Sequence, residues 1–126
     1  NGLTLCSGSF GAGVNNNVVE IAKQFSKRIH FAHLRNVKKE ADGSFEEVAH
    51  LTGDTNMAKL INVLIKEEEF RSRGGQDIQE IPFRPDHGHE LLWDKDNGTH
   101  PGYPLIGRLR GLAELRGVIH GLTAIK

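Results

Sequence analysis

The chain has little cysteine, no surplus of either charge and no long apolar run, and each shortage excludes a class of protein. Its one cysteine, Cys6, excludes an intramolecular disulfide and favours a reducing compartment, so we expect a cytoplasmic location. Sixteen basic residues balance sixteen acidic ones, which leaves no positive field for a phosphate backbone, and we expect no nucleic-acid partner. No signal peptide or membrane span is visible, so a membrane partner is not expected either. The composition, 37% hydrophobic and 25% charged, is that of one globular domain.

Three short apolar runs, at residues 3–5, 29–34 and 81–83, have the character of strands, and each is followed by a polar loop and a helix pattern. The loops are predicted at residues 7–13, 35–53 and 87–102. The helices are predicted to begin after the caps Asn15–Asn17, after Asp54 and at Pro104. Their expected buried faces are Val18, Ile21, Ala22 and Phe25; Met57, Leu60, Ile61 and Leu64; and Leu105, Ile106, Leu109, Leu112 and Ala113.

The repeated order of strand and helix predicts an α/β fold with a parallel sheet and helices outside it. Three such units cannot close an eight-stranded barrel. The sheet is therefore either small and open, or it is the last part of a (β/α)8 TIM barrel whose earlier strands are absent from this chain. We favour the barrel, because metal-binding residue types end the strands and because the sequence starts without Met directly before a strand. We expect residues 1–126 to be the C-terminal segment of a single TIM-barrel catalytic domain.

Each predicted strand leads into a side chain that could bind a metal, namely Cys6, His33 and Asp86. In parallel barrels the functional groups gather at the C-terminal ends of the strands, so these three side chains are expected to meet. A thiolate and an imidazole suit Zn or Fe, whereas a carboxylate also suits Mn, so the residue types do not choose the metal. His87, next to Asp86, would then be available as an acid or base.

Structural interpretations of the same residues remain open at this point. Cys6 could be a small core residue, His33 a surface or core hydrogen-bonding group, and Asp86 the cap of a turn. Tyr103 could pack at the rim or donate a proton towards His87. The glycines of residues 8–13 lack a phosphate-binding motif and are better explained by close passage of the backbone near the site. Trp93 is expected to pack in a lid or interface, and the arginines of the last helix to form a solvated face, namely Arg108, Arg110 and Arg116.

Four segments together resemble the mannonate dehydratase family: LTLCSGS at 3–9, IHFAHLRNV at 29–37, RPDHGH at 84–89 and PGYPLIGRLRGL at 101–112. The resemblance spans nearly the whole chain and corresponds to the C-terminal part of that enzyme. It implies a metal-dependent TIM-barrel hydro-lyase of the xylose-isomerase-like group. The implied reaction is dehydration of D-mannonate to 2-keto-3-deoxy-D-gluconate in hexuronate (glucuronate) catabolism.

The resemblance also implies roles for individual residues. Cys6, His33 and Asp86 become metal ligands, with Mn²⁺ as the usual ion and Fe²⁺ as the second option. His87 and Tyr103 become the proton-transfer groups, and Arg84 contacts the substrate. A further histidine ligand, which an earlier strand supplies in the family, has no counterpart in this chain, and the full-length protein is expected to be a homodimer.

Between His87 and Tyr103, we favour His87 as the base, because imidazoles titrate nearer neutral pH than phenols do.

Two alternatives to a dehydratase stay open. The first is a metal-dependent sugar isomerase or epimerase of the same barrel group, since that chemistry also begins with proton abstraction next to an oxygen. The second is a catalytically silent fragment in which Cys6 is core and Asp86 is a cap.

Overall fold

A computed structural model of the chain describes residues 1–125, and it confirms an α/β architecture. The described residues form five strands: β1 (Leu3–Cys6), β2 (Ile29–His33), β3 (Val37–Lys39), β4 (Phe45–Glu47) and β5 (Phe83–Arg84). They also form four α-helices: α1 (Ser7–Gly11), α2 (Val18–Phe25), α3 (Met57–Arg73) and α4 (Leu105–Ala124). Short 3₁₀ turns lie at Ser26–Arg28 and Leu92–Asp96. Within residues 1–125, no helix combines the length and the apolar character needed to cross a membrane.

The three strands predicted from the apolar runs form one parallel sheet in the order β1-β2-β5. Cys6 lies opposite His33, and His33 lies opposite Arg84, so the ends of the three strands are aligned. The parallel arrangement with flanking helices is therefore confirmed. The core is built from apolar residues of the sheet and of the helices, including Leu5, Ile29, Ala32, Leu34, Val18, Ala22, Met57, Leu60, Ile61, Leu64, Ile81 and Leu115.

Asparagine side chains cap the N-termini of α2 and α3. The Asn17 side chain accepts a hydrogen bond from the backbone N–H of Glu20, as the predicted cap requires. The cap predicted at Asp54 is wrong, because Asn56 accepts from the Lys59 N–H instead. Asp54 accepts from the Lys39 N–H at 2.9 Å, and this bond ties it to β3 rather than to the helix.

Two predicted loops contain regular structure. The first, at residues 7–13, includes the short helix α1, which follows β1 directly. The Ser7 hydroxyl lies within hydrogen-bond distance of the carbonyl oxygens of His33 and Arg35. The second, at residues 35–53, contains an antiparallel hairpin of β3 and β4. Its turn carries Gly43 at φ 88°, a backbone conformation that favours glycine.

The predicted buried face of α4 is wrong in part. Leu105 and Leu109 are more than half exposed, whereas Gly107, Gly111 and Leu115 are buried. The two glycines form the packed face because the absence of a side chain lets the helix backbone approach its neighbours closely. A Cβ atom at Gly107 would overlap a backbone carbonyl, and one at Gly111 would overlap an imidazole ring.

Candidate active site

The aligned ends of the parallel strands bring three potential metal ligands together. Cys6 ends β1, His33 ends β2, and Asp86 lies two residues beyond β5. Their ligand atoms all lie within 4.8 Å of one another. Donor atoms that bind one transition-metal ion at about 2.0–2.3 Å are separated by roughly 3–4.6 Å, so this spacing is on the scale of one coordination sphere. The predicted convergence of the three strand ends is confirmed.

Asp86 is the most buried member of this group, and basic side chains surround its carboxylate. The Arg84 guanidinium donates to Asp86 Oδ1 at 3.2 Å. Asp86 Oδ2 lies 3.9 Å from His33 Nδ1 and 3.3 Å from His87 Nδ1. The Asp86 backbone has φ 66°, a left-handed conformation that aspartate adopts more readily than most residues. Local backbone geometry, and not only strand register, therefore aims this carboxylate.

The Cys6 thiol lies at the start of α1, where a serine hydroxyl contacts it. The Ser9 hydroxyl donates to Cys6 Sγ at 3.1 Å. Ser7, the next residue after the cysteine, is fully buried and donates to backbone carbonyls of β2 and its extension. A Cβ atom at Gly8 would overlap the Arg35 side chain, so this glycine lets α1 pass close to the site, as expected for the 8–13 segment.

His87 and Tyr103 form a second pair beside the ligand cluster. Their ring centroids are 4.9 Å apart, although the residues come from different loops. The backbone links the loops, because the Gly88 N–H donates to the Gly102 carbonyl at 3.1 Å. Gly102 has φ 80°, and a Cβ atom there would lie 2.8 Å from the His87 ring. The structure thus places Tyr103 within reach of His87.

Trp93 is 56% exposed, so its predicted packing in a lid or interface stays a prediction. Arg108 is wrongly predicted as part of a solvated face: its guanidinium lies 5.6 Å from the Tyr103 ring centroid, and its Nε is buried. Arg110 pairs with Glu114 on the exposed side of the same helix.

The hairpin adds an ion pair beside the site. The Arg35 guanidinium donates to both carboxylate oxygens of Glu47, through Nε at 3.0 Å and through Nη2. That hydrogen bond, together with electrostatic attraction to Glu47, Cys6 and Asp86, outweighs burial and raises the pKa of Arg35. Arg35 is therefore a fixed positive charge close to two of the three candidate ligands.

The buried carboxylate of Asp94 anchors the start of α4, just after Tyr103. Asp94 accepts hydrogen bonds from the backbone N–H groups of Leu91, Ile106 and Gly107 at 3.2, 3.0 and 2.9 Å. Burial opposes ionisation, but the backbone hydrogen bonds outweigh it and hold the pKa of Asp94 below its ordinary range. This anchor fixes the loop that carries Tyr103 relative to the helix.

A family profile described as D-mannonate dehydratase (UxuA) matches residues 1–126. The chain belongs to this family. It is 54% identical to the mannonate dehydratase of Saccharophagus degradans over 100% of this chain and 32% of that protein. It is also 51% identical to the mannonate dehydratase of Rhizobium meliloti, over 98% of this chain and 31% of the relative. The chain thus spans about a third of the length of these curated relatives.

A solved structure of the mannonate dehydratase from Streptococcus suis serotype 2 is similar to the fold. It superposes with a TM-score of 0.77 at 30% identity, over 96% of this chain and 32% of that chain. The family membership predicted from the four sequence segments is confirmed. Within this member of the mannonate dehydratase family, the geometry gathers Cys6, His33, Asp86, His87, Tyr103 and Arg84 at one end of the sheet.

Sequence reasoning missed several supporting residues of this site. Glu47 and Asp94 carry no motif of their own, and their roles depend on partners 12 or 13 positions away along the chain. For the hairpin a signal existed, because Asp42-Gly43 between two runs of strand-forming residues is typical of a tight turn. The Asp42 side chain accepts from the Ser44 N–H and hydroxyl in that turn.

Proposed function

We propose that this chain is the C-terminal part of a D-mannonate dehydratase and supplies most of its metal-binding and proton-transfer groups. The observation that carries the proposal is the convergence of Cys6, His33 and Asp86 beside the His87–Tyr103 pair in a member of this family. The substrate would be D-mannonate and the product 2-keto-3-deoxy-D-gluconate, as in hexuronate catabolism.

The residues present fit a divalent transition metal. A thiolate, an imidazole and a carboxylate offer one atom each at mutual distances suited to a single ion. Cys6, His33 and Asp86 would hold the ion, which we propose to be Mn²⁺, with Fe²⁺ as the second option. When bound, it would supply positive charge to stabilise negative charge that develops on substrate oxygens.

The chain's own residues account for the proton movements. Arg84, whose side chain is about half exposed beside Asp86, would bind the substrate carboxylate and lower the cost of charge at C2. His87 would take the proton from C2. Tyr103 would give a proton to the C3 hydroxyl, which leaves as water, and the resulting enol becomes the 2-keto-3-deoxy acid. The 4.9 Å separation of the two rings supports action on neighbouring carbons of one substrate.

The same family membership supports a proposal for the larger architecture. We propose that the sheet β1-β2-β5 forms the last strands of a TIM barrel and that residues 1–126 are the C-terminal segment of that single catalytic domain. The parallel strand order and the ligands at the C-terminal strand ends support this. Within the family we further propose a homodimeric, cytoplasmic protein, which agrees with the single, unpaired cysteine.

The proposal is tested by D-mannonate turnover with added Mn²⁺ in a protein of the relatives' length that carries this segment. Formation of the 2-keto-3-deoxy acid is expected, and His87→Asn should reduce kcat by at least 10²-fold while Mn²⁺ binding persists. Asp86→Asn should weaken Mn²⁺ binding. A matched control is His120→Gln, which alters an exposed imidazole on α4. Product that keeps every hydroxyl would contradict dehydration and favour an isomerase or epimerase.

A further inference from the structure

His50 is a buried imidazole that the proposed reaction does not use. Only 4% of its surface is exposed, and it lies in the segment between β4 and α3. Its Nε2 lies 2.5 Å from the Pro85 carbonyl oxygen, 35 positions along the chain. A carbonyl oxygen only accepts hydrogen bonds, so Nε2 is the protonated nitrogen and donates.

The peptide that receives this hydrogen bond directly precedes the candidate ligand Asp86. Asp86 has the left-handed backbone angle φ 66°, which costs energy for a residue with a side chain. The orientation of the Pro85–Asp86 peptide decides where the Asp86 carboxylate lies. A donor fixed on its carbonyl oxygen therefore stabilises the strained backbone and the carboxylate direction together.

His50 is itself held on both sides. Its carbonyl oxygen accepts from the Asn36 side chain at 2.9 Å. Its ring lies against α4 at Gly111, where an added Cβ atom would overlap the imidazole. The backbone of His50 is thus held by Asn36, and its ring is packed against the glycine face of α4.

We infer that His50 is a positioning residue for the metal ligand Asp86, acting through the Pro85 carbonyl. This inference rests on the proposed function in that Asp86 binds the ion. It assigns a role to a residue that touches neither the ion nor the substrate. Groups that orient a metal ligand typically change metal affinity by about 10- to 100-fold when they are removed.

The test compares two neutral amides in the protein of the relatives' length. In His50→Gln the side-chain amide nitrogen falls near the position of Nε2 and can still donate, whereas in His50→Asn it falls near Nδ1 and cannot reach the Pro85 oxygen. Mn²⁺ dissociation constants are measured by electron paramagnetic resonance of the free ion, without substrate. We expect roughly 10-fold weaker binding for His50→Asn, near-parental binding for His50→Gln, and no change for the exposed control His120→Gln.

The outcomes separate this inference from the proposed function. Equal Mn²⁺ affinity in the parent and in His50→Asn, or equal weakening in both amide variants, overturns the positioning role. No Mn²⁺ binding by the folded parent overturns the proposed metal site and this inference with it. If His50→Asn fails to fold, Gly111→Ala displaces the same ring from the other side and must also weaken Mn²⁺ binding about 10-fold.

Discussion

Replacing Asn36 by alanine tests how strongly one buried amide holds the segment beside the candidate site. The Asn36 side chain is 1% exposed and uses its whole hydrogen-bonding capacity. Its nitrogen donates to the carbonyls of His50 and Thr55 at 2.9 Å each. Its oxygen accepts from the N–H groups of Val37 and Thr55 at 3.1 Å each. Four buried backbone groups therefore lose their partner in Asn36→Ala.

The expected cost follows from these four bonds. Each contributes about 1 kcal/mol, so opening of this segment should become easier by about 4 kcal/mol, or roughly 10³-fold. The assay is hydrogen–deuterium exchange of peptides covering residues 48–56 in the protein of the relatives' length. Exchange there should accelerate strongly, while peptides of β1 change little. Asn36→Asp should be at least as damaging at neutral pH, because a carboxylate would face two carbonyl oxygens.

The matched control is Asn16→Ala. Asn16 is exposed, and its side chain donates a hydrogen bond to the Phe10 carbonyl at 2.9 Å. Its removal should change the free energy of unfolding by no more than about 1 kcal/mol. If Asn36→Ala accelerated exchange no more than this control, the four hydrogen bonds would not be what holds the segment.

Three further changes probe the support of Tyr103 and the packing of α4. Because the folded-state pKa of Asp94 is lowered, its ionised form stabilises the fold at neutral pH, and that stability is lost as the pH falls from about 4 through the folded value. Asp94→Asn should therefore lower Tm at pH 7 and show a smaller further loss between pH 5 and 3, measured by circular dichroism. Gly107→Ala, whose Cβ would overlap the His89 carbonyl, should lower Tm and slow turnover. Gly117→Ala, in the same helix with nothing within 4 Å of the new Cβ, should instead stabilise by up to about 1 kcal/mol. A gain of stability in Gly107→Ala would contradict the close packing of α4.

Apolar patterning was sufficient to predict the parallel sheet and the edge at which the candidate ligands lie. Cys6 and His33 each end a strand that lies in a short apolar run, so the sequence predicts them at the same edge of the parallel sheet. Their direct pairing also depends on a register shift between Leu3 and Thr4, which the apolar pattern does not predict. Asp86 could be placed only near them, because its left-handed backbone has no signature in the order of residue types.

Hydrophobic periodicity failed where burial does not depend on apolar side chains. On α4 it selected Leu105 and Leu109, although the buried residues there are Gly107, Gly111 and Leu115. A hydrophobicity scale does not detect a glycine face, because glycine has no apolar side chain. Such a face packs by letting another segment approach the helix backbone closely. His50 and Asp94 were missed for a related reason, since a buried polar residue is identified by its partners and not by its own type.

The candidate site has two parts, and different interactions hold each part in place. Cys6 and His33 are fixed by strand register, so their positions depend on the hydrogen bonds and core of the sheet. Asp86, His87 and Tyr103 lie beyond the strand ends, where placement depends on hydrogen bonds from neighbouring loops and on the glycine face of α4. Substitutions in residues 36–55 or 104–111 should therefore disturb the carboxylate and the proton-transfer pair while leaving the thiol and imidazole ligands in place. Metal affinity would then fall without being abolished, and turnover would fall further than affinity.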